Sequence, residues 1–310
     1  MRFFRTFALL FTLVSTSLMA APKVGVLLKA RTPFWVAMEK GAQEGAQASG
    51  VDVVVKAPLS ESDISVQIQL LNALAAQGAE AIVIAPINKD ALAVPIASLA
   101  VKGIKIVVVD TPLTGKAAPV FIGTDHEAAG KAAGQLLAKL VSADEEVSFF
   151  KHAQTSGASL QREIGALATF RAAHPKSIVH GDIYGGVDAG AEAEKARLLL
   201  TQYPKTKAIL ATSTPVTMAM LSVLQEKKLA GSIKLVGFGF NMNPEVAAAI
   251  ESGAMSGFIA QLPKEVGKKG VAAAASLLKG EEVPAVLHTD FLVITKDNLK
   301  DEKVQALLAL

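Results

Sequence analysis

The chain has 310 residues, of which 51% are hydrophobic and 19% charged, a globular composition with length for about two domains. Its formal charge of +3 is carried by scattered basic residues, and aromatics make up only 5%, so neither a basic patch nor a stacking platform for nucleic acid is visible. There is no cysteine, which excludes disulfides, thiolate metal sites, a cysteine nucleophile and a lipid-anchored cysteine.

Residues 1–20 read as a secretory signal peptide. Arg2 and Arg5 precede an apolar run from about Phe7 to Val14, and small residues follow, with cleavage expected after Ala20. The run is too short for a membrane span, and no later stretch reaches the necessary length. Removing Arg2 and Arg5 leaves a mature charge of about +1. A periplasmic location and a monomer that relies on its own core are expected.

In the mature chain, Val24–Leu28 reads as a strand. Thr32 and Pro33 open a helix that ends at Gly50, with Thr32 as N-cap and Pro33 at the first helical position. Strand Val51–Val55 follows, then a helix capped by Ser62 with Ile64, Ile68, Leu71 and Ala75 on one stripe. Strand Ala81–Ala85 leads to a helix over Asp90–Val101, broken near Pro95. Ile104–Thr111 comes next, with β-branched aliphatics at five of its first six positions, as in a strand buried on both faces. It stops on Asp110 and Thr111, which places a carboxylate and a hydroxyl at the carboxyl end of a sheet, where α/β folds bind ligands. Phe121–Thr124 is a further short strand.

The pattern then restarts. Helix His126–Leu140, strand Glu146–Lys151, helix Leu160–Ala173, strand Ile178–Ile183 and helix Ala189–Tyr203 are followed by strand Ala208–Ala211 and helix Val216–Lys228. Strand Ile233–Phe240, helix Pro244–Ser252, strand Gly257–Ala260, helix Lys264–Leu278, a strand-like Val286–Ile294 and a short helix after Asp297 complete the chain. Strands alternating with helices of 10–15 residues mean βαβ units, here in two consecutive sets. The expected fold class is α/β, with two doubly wound parallel-sheet lobes.

The residues just after the strands suit a small polyhydroxylated ligand. Thr32, Phe34 and Trp35 follow the first strand, Asp110 and Thr111 the central one, and Ser213 follows Ala208–Ala211. Asn241 follows Ile233–Phe240, and Gln261 follows Gly257–Ala260. Arg162 is expected in the first turn of its helix, where its charge opposes the helix dipole. Hydroxyls would pair with the polar groups while C–H faces lie on the rings. Each residue also has a plainer role available: core packing for Phe34 and Trp35, turn capping for Asp110, helix capping for Asn241. The five histidines lack metal-ligand spacing and are expected at the surface. No nucleophile elbow, zinc motif, phosphate loop or dinucleotide fingerprint is present, so no cofactor, metal or catalytic residue is expected.

Thr-Pro-Phe-Trp with Glu-Lys-Gly-Ala-Gln (Thr32–Gln43), Ile-Val-Val-Val-Asp (Ile106–Asp110), Ile-Gly-Thr-Asp (Ile122–Asp125), Arg-Glu-Ile-Gly (Arg162–Gly165), Leu-Val-Gly-Phe-Gly-Phe-Asn (Leu235–Asn241) and Ile-Ala-Gln-Leu-Pro (Ile259–Pro263) occur in order. This set resembles the ribose-binding-protein-like periplasmic substrate-binding proteins of ABC importers, the type I periplasmic binding fold, over essentially the whole mature chain. The resemblance implies two lobes joined by three hinge crossings, near Asp125, Gln261–Leu262 and His288–Asp290. The N-terminal lobe would comprise 21–124 and 262–288, and the C-terminal lobe 125–261 and 289–310. It further implies ligand-induced closure and recognition of the closed form by ABC permease subunits.

Carried over by resemblance, Phe34 and Trp35 match the aromatic pair, Asp110 the sugar-binding carboxylate, Arg162 the second-lobe arginine and Gln261 the hinge glutamine. Thr32 stands where the family's sugar binders commonly have Asn, Thr111 where Arg is frequent, and Ala85 and Ser213 where Asn is usual. Asn241 replaces an aspartate. These departures exchange charge-assisted hydrogen bonds for neutral ones, and so leave the cargo open among a sugar, a deoxy or methylated sugar, a polyol and a non-carbohydrate. The same clamp also serves sensors coupled to a histidine kinase or chemoreceptor. An exported enzyme is disfavoured, since no nucleophile–base set can be assembled.

Overall fold

A computed structural model describes residues 21–115, 120–186, 190–240 and 243–309, so the expected leader and Asn241 lie outside the described residues. The first half runs β1 (Lys23–Leu27), α1 (Pro33–Ser49), β2 (Asp52–Lys56), α2 (Ile64–Ala76), β3 (Ala81–Ile84), α3 (Ala93–Val101), β4 (Lys105–Val109) and β5 (Val120–Thr124). The second begins with α4 (His126–Leu140), β6 (Val147–Phe150), α5 (Gly157–Ala173), β7 (Val179–His180), α6 (Ala191–Gln202) and β8 (Ala208–Ala211). It continues through α7 (Thr214–Glu226), β9 (Lys234–Gly239), α8 (Pro244–Ser252), β10 (Gly257–Gln261), α9 (Pro263–Leu278), β11 (Val286–Thr289), β12 (Phe291–Ile294) and α10 (Glu302–Gln305).

Two six-stranded sheets result, ordered β11-β5-β4-β3-β1-β2 and β12-β10-β9-β8-β6-β7. Every pairing is parallel except that of β10 with β12. Both sheets repeat one doubly wound order, so each has a topological switch point, between β1 and β3 and between β6 and β8. Period-two alternation sorts the strand side chains. Val24, Val26, Val83, Val107 and Val109 enter one core of the first sheet, while Leu27, Ile82, Ile84, Ile106 and Val108 enter the core on its other face. Apolar residues on both faces are what a parallel sheet covered by helices needs.

The chain passes between the sheets three times. It leaves the first at Thr124 and enters α4, returns after Gln261 into α9, which packs on β3, β4 and β5, and crosses again between Thr289 and Phe291. Val286–Ile294 is therefore two strands in two sheets. Thr289 pairs with Thr124 in the first sheet, one residue beyond the boundary expected from the sequence.

Some local expectations are corrected. The helix after β3 begins only at Ala93, so Pro95 falls in its first turn, where no intrahelical N–H bond is lost, and breaks nothing. Asp63 rather than Ser62 is the N-cap of α2. The strand expected over Ile178–Ile183 is reduced to Val179–His180, with one isolated bridge from Lys151 to Tyr184. No helix among the described residues is long and apolar enough to cross a membrane.

Candidate functional site

The carboxyl ends of both sheets border one cleft of about 470 Å³, lined from the first sheet by Lys29, Thr32, Phe34, Trp35, Glu61 and Asp110. From the second come His152, Ser156, Ser159, Arg162, Ser213, Phe240 and Gln261. Seven of the nine residues singled out from the sequence line it: Thr32, Phe34, Trp35, Asp110, Arg162, Ser213 and Gln261. Thr111 does not; it is wholly buried and acts through its neighbours. Asn241 lies outside the described residues.

The floor is an ion pair that the sequence reading missed. Lys29 lies two residues beyond β1 and is only 3% exposed, and its Nζ lies 3.0 Å from Asp110 Oδ2. Lys29 Nζ also donates to Thr111 Oγ1, and that hydroxyl donates to Asp110 Oδ2 at 2.8 Å. Burial alone would raise the Asp110 pKa; the Lys29 charge first, and the hydrogen bonds from Thr111 and Lys29, outweigh it and hold the carboxyl below the usual range. Asp110 has φ +61°, and Thr111 N–H closes the turn onto Val109 C=O at 2.7 Å. A short polar side chain tolerates this left-handed conformation, in which a β-branched residue would be strained.

Arg162 is held by four elements. Its Nη1 donates to Thr212 C=O at 2.8 Å, its Nη2 to Gln261 Oε1 at 2.6 Å, and its Nε to His126 Nδ1 at 3.3 Å. Its guanidinium carbon lies 4.9 Å from the Phe238 ring centroid. Because α5 starts at Gly157 with Ser156 as N-cap, Arg162 sits in the second turn and the dipole conflict expected from the sequence does not arise. Gly130 lets α4 and α5 meet, since a Cβ there would overlap the Arg162 carbonyl.

His126 and His152 correct the expectation of surface histidines: they are 1% and 7% exposed. His126 Nε2 faces Asp110 C=O at 2.7 Å and so carries the proton, leaving Nδ1 to accept from Arg162. Burial first, and the Arg162 charge second, push its pKa down to about 3. His126 follows Asp125 at the first crossing and Gln261 precedes the second. One hydrogen-bonded chain thus joins Asp110, His126, Arg162 and Gln261 through two crossings.

Aromatic faces form the walls. Phe34 meets Trp35 edge-on with centroids 4.7 Å apart, and meets Phe240 of the other sheet at 5.4 Å. Trp35 Nε1 donates to Glu61 Oε1 at 2.8 Å, and the other Glu61 oxygen lies 3.8 Å from His152 Nε2 across the cleft. Burial acts to raise the Glu61 pKa, but the contacts from His152, Lys29 and Trp35 prevail and lower it.

Among the described residues, His152 Nδ1 and Ser213 Oγ are buried without a hydrogen-bond partner. Leaving such a group unpaired costs about 1–3 kcal/mol. Ser213 is the N-cap of α7 and Thr32 that of α1, yet neither side chain caps its helix, whereas Asp125, Ser156 and Asn243 do cap theirs. The charged and neutral parts of the cleft therefore differ. Its ions are satisfied within the protein, while some neutral polar groups are not.

The profile of the periplasmic binding protein domain matches residues 24–282. The D-allose-binding periplasmic protein of Escherichia coli is 29% identical over 84% of this chain and 85% of its own. A ribose import binding protein of Salmonella typhimurium is 27% identical over 91% and 94%. Among solved structures, a carbohydrate transporter solute-binding protein from Agrobacterium radiobacter in complex with D-arabinose is 27% identical, covers 94% of this chain and 99% of its own, and superposes with a TM-score of 0.87. With two doubly wound sheets facing one cleft and this match over most of its length, the chain belongs to the periplasmic binding protein family.

Proposed function

We propose that the protein is a periplasmic receptor that closes on a small neutral sugar and presents it to the membrane subunits of an ABC importer. The observation that carries this reading is the cleft itself: aromatic faces on both sides, with hydroxyl, amide and imidazole groups between them. Such a surface suits a ring with apolar C–H faces and a hydroxyl rim. The ribose-, D-allose- and D-arabinose-binding relatives support a pentose or hexose.

Charge argues for a neutral cargo. Lys29 is engaged by Asp110, Arg162 by Gln261, Thr212 and His126, and Glu61 and Glu192 add two further carboxylates to the lining. Among the described lining residues, no Lys or Arg is without protein hydrogen-bond partners to hold a sugar acid or sugar phosphate, and the lining carboxylates outnumber the two cations. Thr32, Phe34, Trp35, Asp110, Arg162, Ser213 and Gln261 are the proposed contact or supporting residues, together with Thr111 and Asn241. Residues 21–124 with 262–289 form one proposed lobe and 125–261 with 290–310 the other, and hinge motion at the crossings closes them. Export through residues 1–20, action as a monomer and the absence of any chemical step complete the proposal.

Thermal unfolding against D-ribose, D-allose and D-arabinose tests it. A sugar present at 100 times its dissociation constant adds about 2.7 kcal/mol, which raises the melting temperature by several degrees. No shift with any of the three, alongside a shift with an amino acid or a phosphate ester, would overturn the reading.

A further inference from the structure

We infer that His152 is a specificity-determining residue whose Nδ1 accepts a hydrogen bond from one hydroxyl of the bound sugar, with Glu61 of the opposite lobe fixing its tautomer. The inference rests on the sugar-receptor reading and extends it to a residue for which the family resemblance gives no role.

Three observations converge. First, His152 lines the cleft and is 7% exposed, and its Nδ1 is one of the few buried side-chain atoms without a partner among the described residues. Buried polar atoms are nearly always paired, so an orphan at a binding cleft marks a group whose partner arrives with the ligand. Second, the His152 Nε2 faces the Glu61 carboxylate at 3.8 Å. A carboxylate on that side favours the proton on Nε2, which leaves Nδ1 an acceptor. Third, the residue is firmly placed: its backbone N–H donates to Thr212 Oγ1 at 3.1 Å, and its carbonyl accepts from Gly186 N–H at 2.9 Å.

Register adds a neighbour. β6 lies beside β8 with Phe150 opposite Ala211, and continuing that register sets His152 beside Ser213, whose Oγ is the other orphan in the cleft. The hydroxyl of Ser213 both donates and accepts, whereas the imidazole in this tautomer only accepts at its free nitrogen. The two form an edge that favours a sugar hydroxyl acting as donor to His152. Because Glu61 comes from the loop after β2, the acceptor is completed by both lobes together.

Calorimetric titration of the wild type with D-ribose, D-allose and D-arabinose, then with the monodeoxy analogues of the tightest of them, tests this on three variants. His152→Leu removes both nitrogens. His152→Asn keeps an acceptor near the Nδ1 position, and His152→Gln reaches instead toward the position of Nε2. The expected result is a dissociation constant about ten- to a hundredfold higher for His152→Leu and His152→Gln, with His152→Asn close to wild type. One monodeoxy analogue should bind wild type as weakly as the parent sugar binds His152→Leu, and should lose nothing further in that variant. If His152→Leu fails to fold, the contrast between Gln and Asn decides. Equal loss across all analogues, or wild-type affinity in His152→Gln, overturns the inference and leaves the receptor reading intact. Failure of all three sugars to bind wild type removes both.

Discussion

Lys29 Nζ and Asp110 Oδ2 lie 3.0 Å apart in side chains only 4% and 8% exposed. Each charge has lost most of its hydration, and the pair is tolerable because each group compensates the other. Removing one partner strands the other. Asp110→Ala should therefore cost about 3–5 kcal/mol of stability, and Lys29→Met a comparable amount, while the double variant should cost much less than their sum. Urea unfolding of the three variants measures this. Additive losses would mean that the two residues are energetically independent.

The fold was legible because hydrophobic period and punctuation agree along most of the chain. Val24, Val26 and their counterparts in β3 and β4 needed both faces covered, and Thr32-Pro33 and Gly50 bounded α1 at the positions observed. What was not legible depends on pairings distant in sequence. Lys29 reads as an ordinary strand end until Asp110, 81 residues on, is brought beside it. His126 reads as a surface residue because nothing local announces the Asp110 carbonyl or the Arg162 guanidinium between which it sits. Read from its residues alone, Val286–Ile294 is one continuous apolar strand, and only the family resemblance put a crossing near His288–Asp290, where its halves do part to pair with β5 and β10.

Trp35 is the only tryptophan, is 3% exposed, and reaches Glu61 through its indole N–H while lining the cleft. Its emission should change when D-ribose, D-allose or D-arabinose binds, because the sugar meets the ring or displaces Glu61. Glu61→Gln keeps a hydrogen-bond acceptor but removes the charge, so it should shift the unliganded spectrum and preserve the response. A sugar that binds by calorimetry without altering the emission would place Trp35 in the core alone.

Arg162 offers a test of the link between site and crossings. Its planar fork serves Thr212 C=O, Gln261 Oε1 and His126 Nδ1 at once, geometry that an ammonium cannot reproduce. Arg162→Lys should cost about 2–4 kcal/mol through the acceptors it leaves unpaired. It should also weaken sugar binding, because Gln261 at the second crossing loses its donor. Stability below wild type with unchanged affinity would confine the residue to a structural role.

His126 sets the expected response to acid. Its pKa is about 3 in the folded protein, and an unfolded histidine titrates near 6.5, so between these values the unfolded chain binds one proton more. Stability therefore falls as pH drops below about 6.5, by roughly 1.4 kcal/mol per pH unit, or about 3 kcal/mol by pH 4.5. Asp110, with its lowered pKa, gives up its contribution only at lower pH, and the raised pKa of Glu163, due first to burial, works in the opposite direction. Both groups are present in His126→Asn, so the difference between wild type and this variant isolates the imidazole. Urea unfolding at pH 7 and pH 4.5 should show the larger acid loss in wild type. Equal losses in the two proteins would mean that His126 is charged in the fold, which its placement between the Asp110 carbonyl and the Arg162 guanidinium argues against.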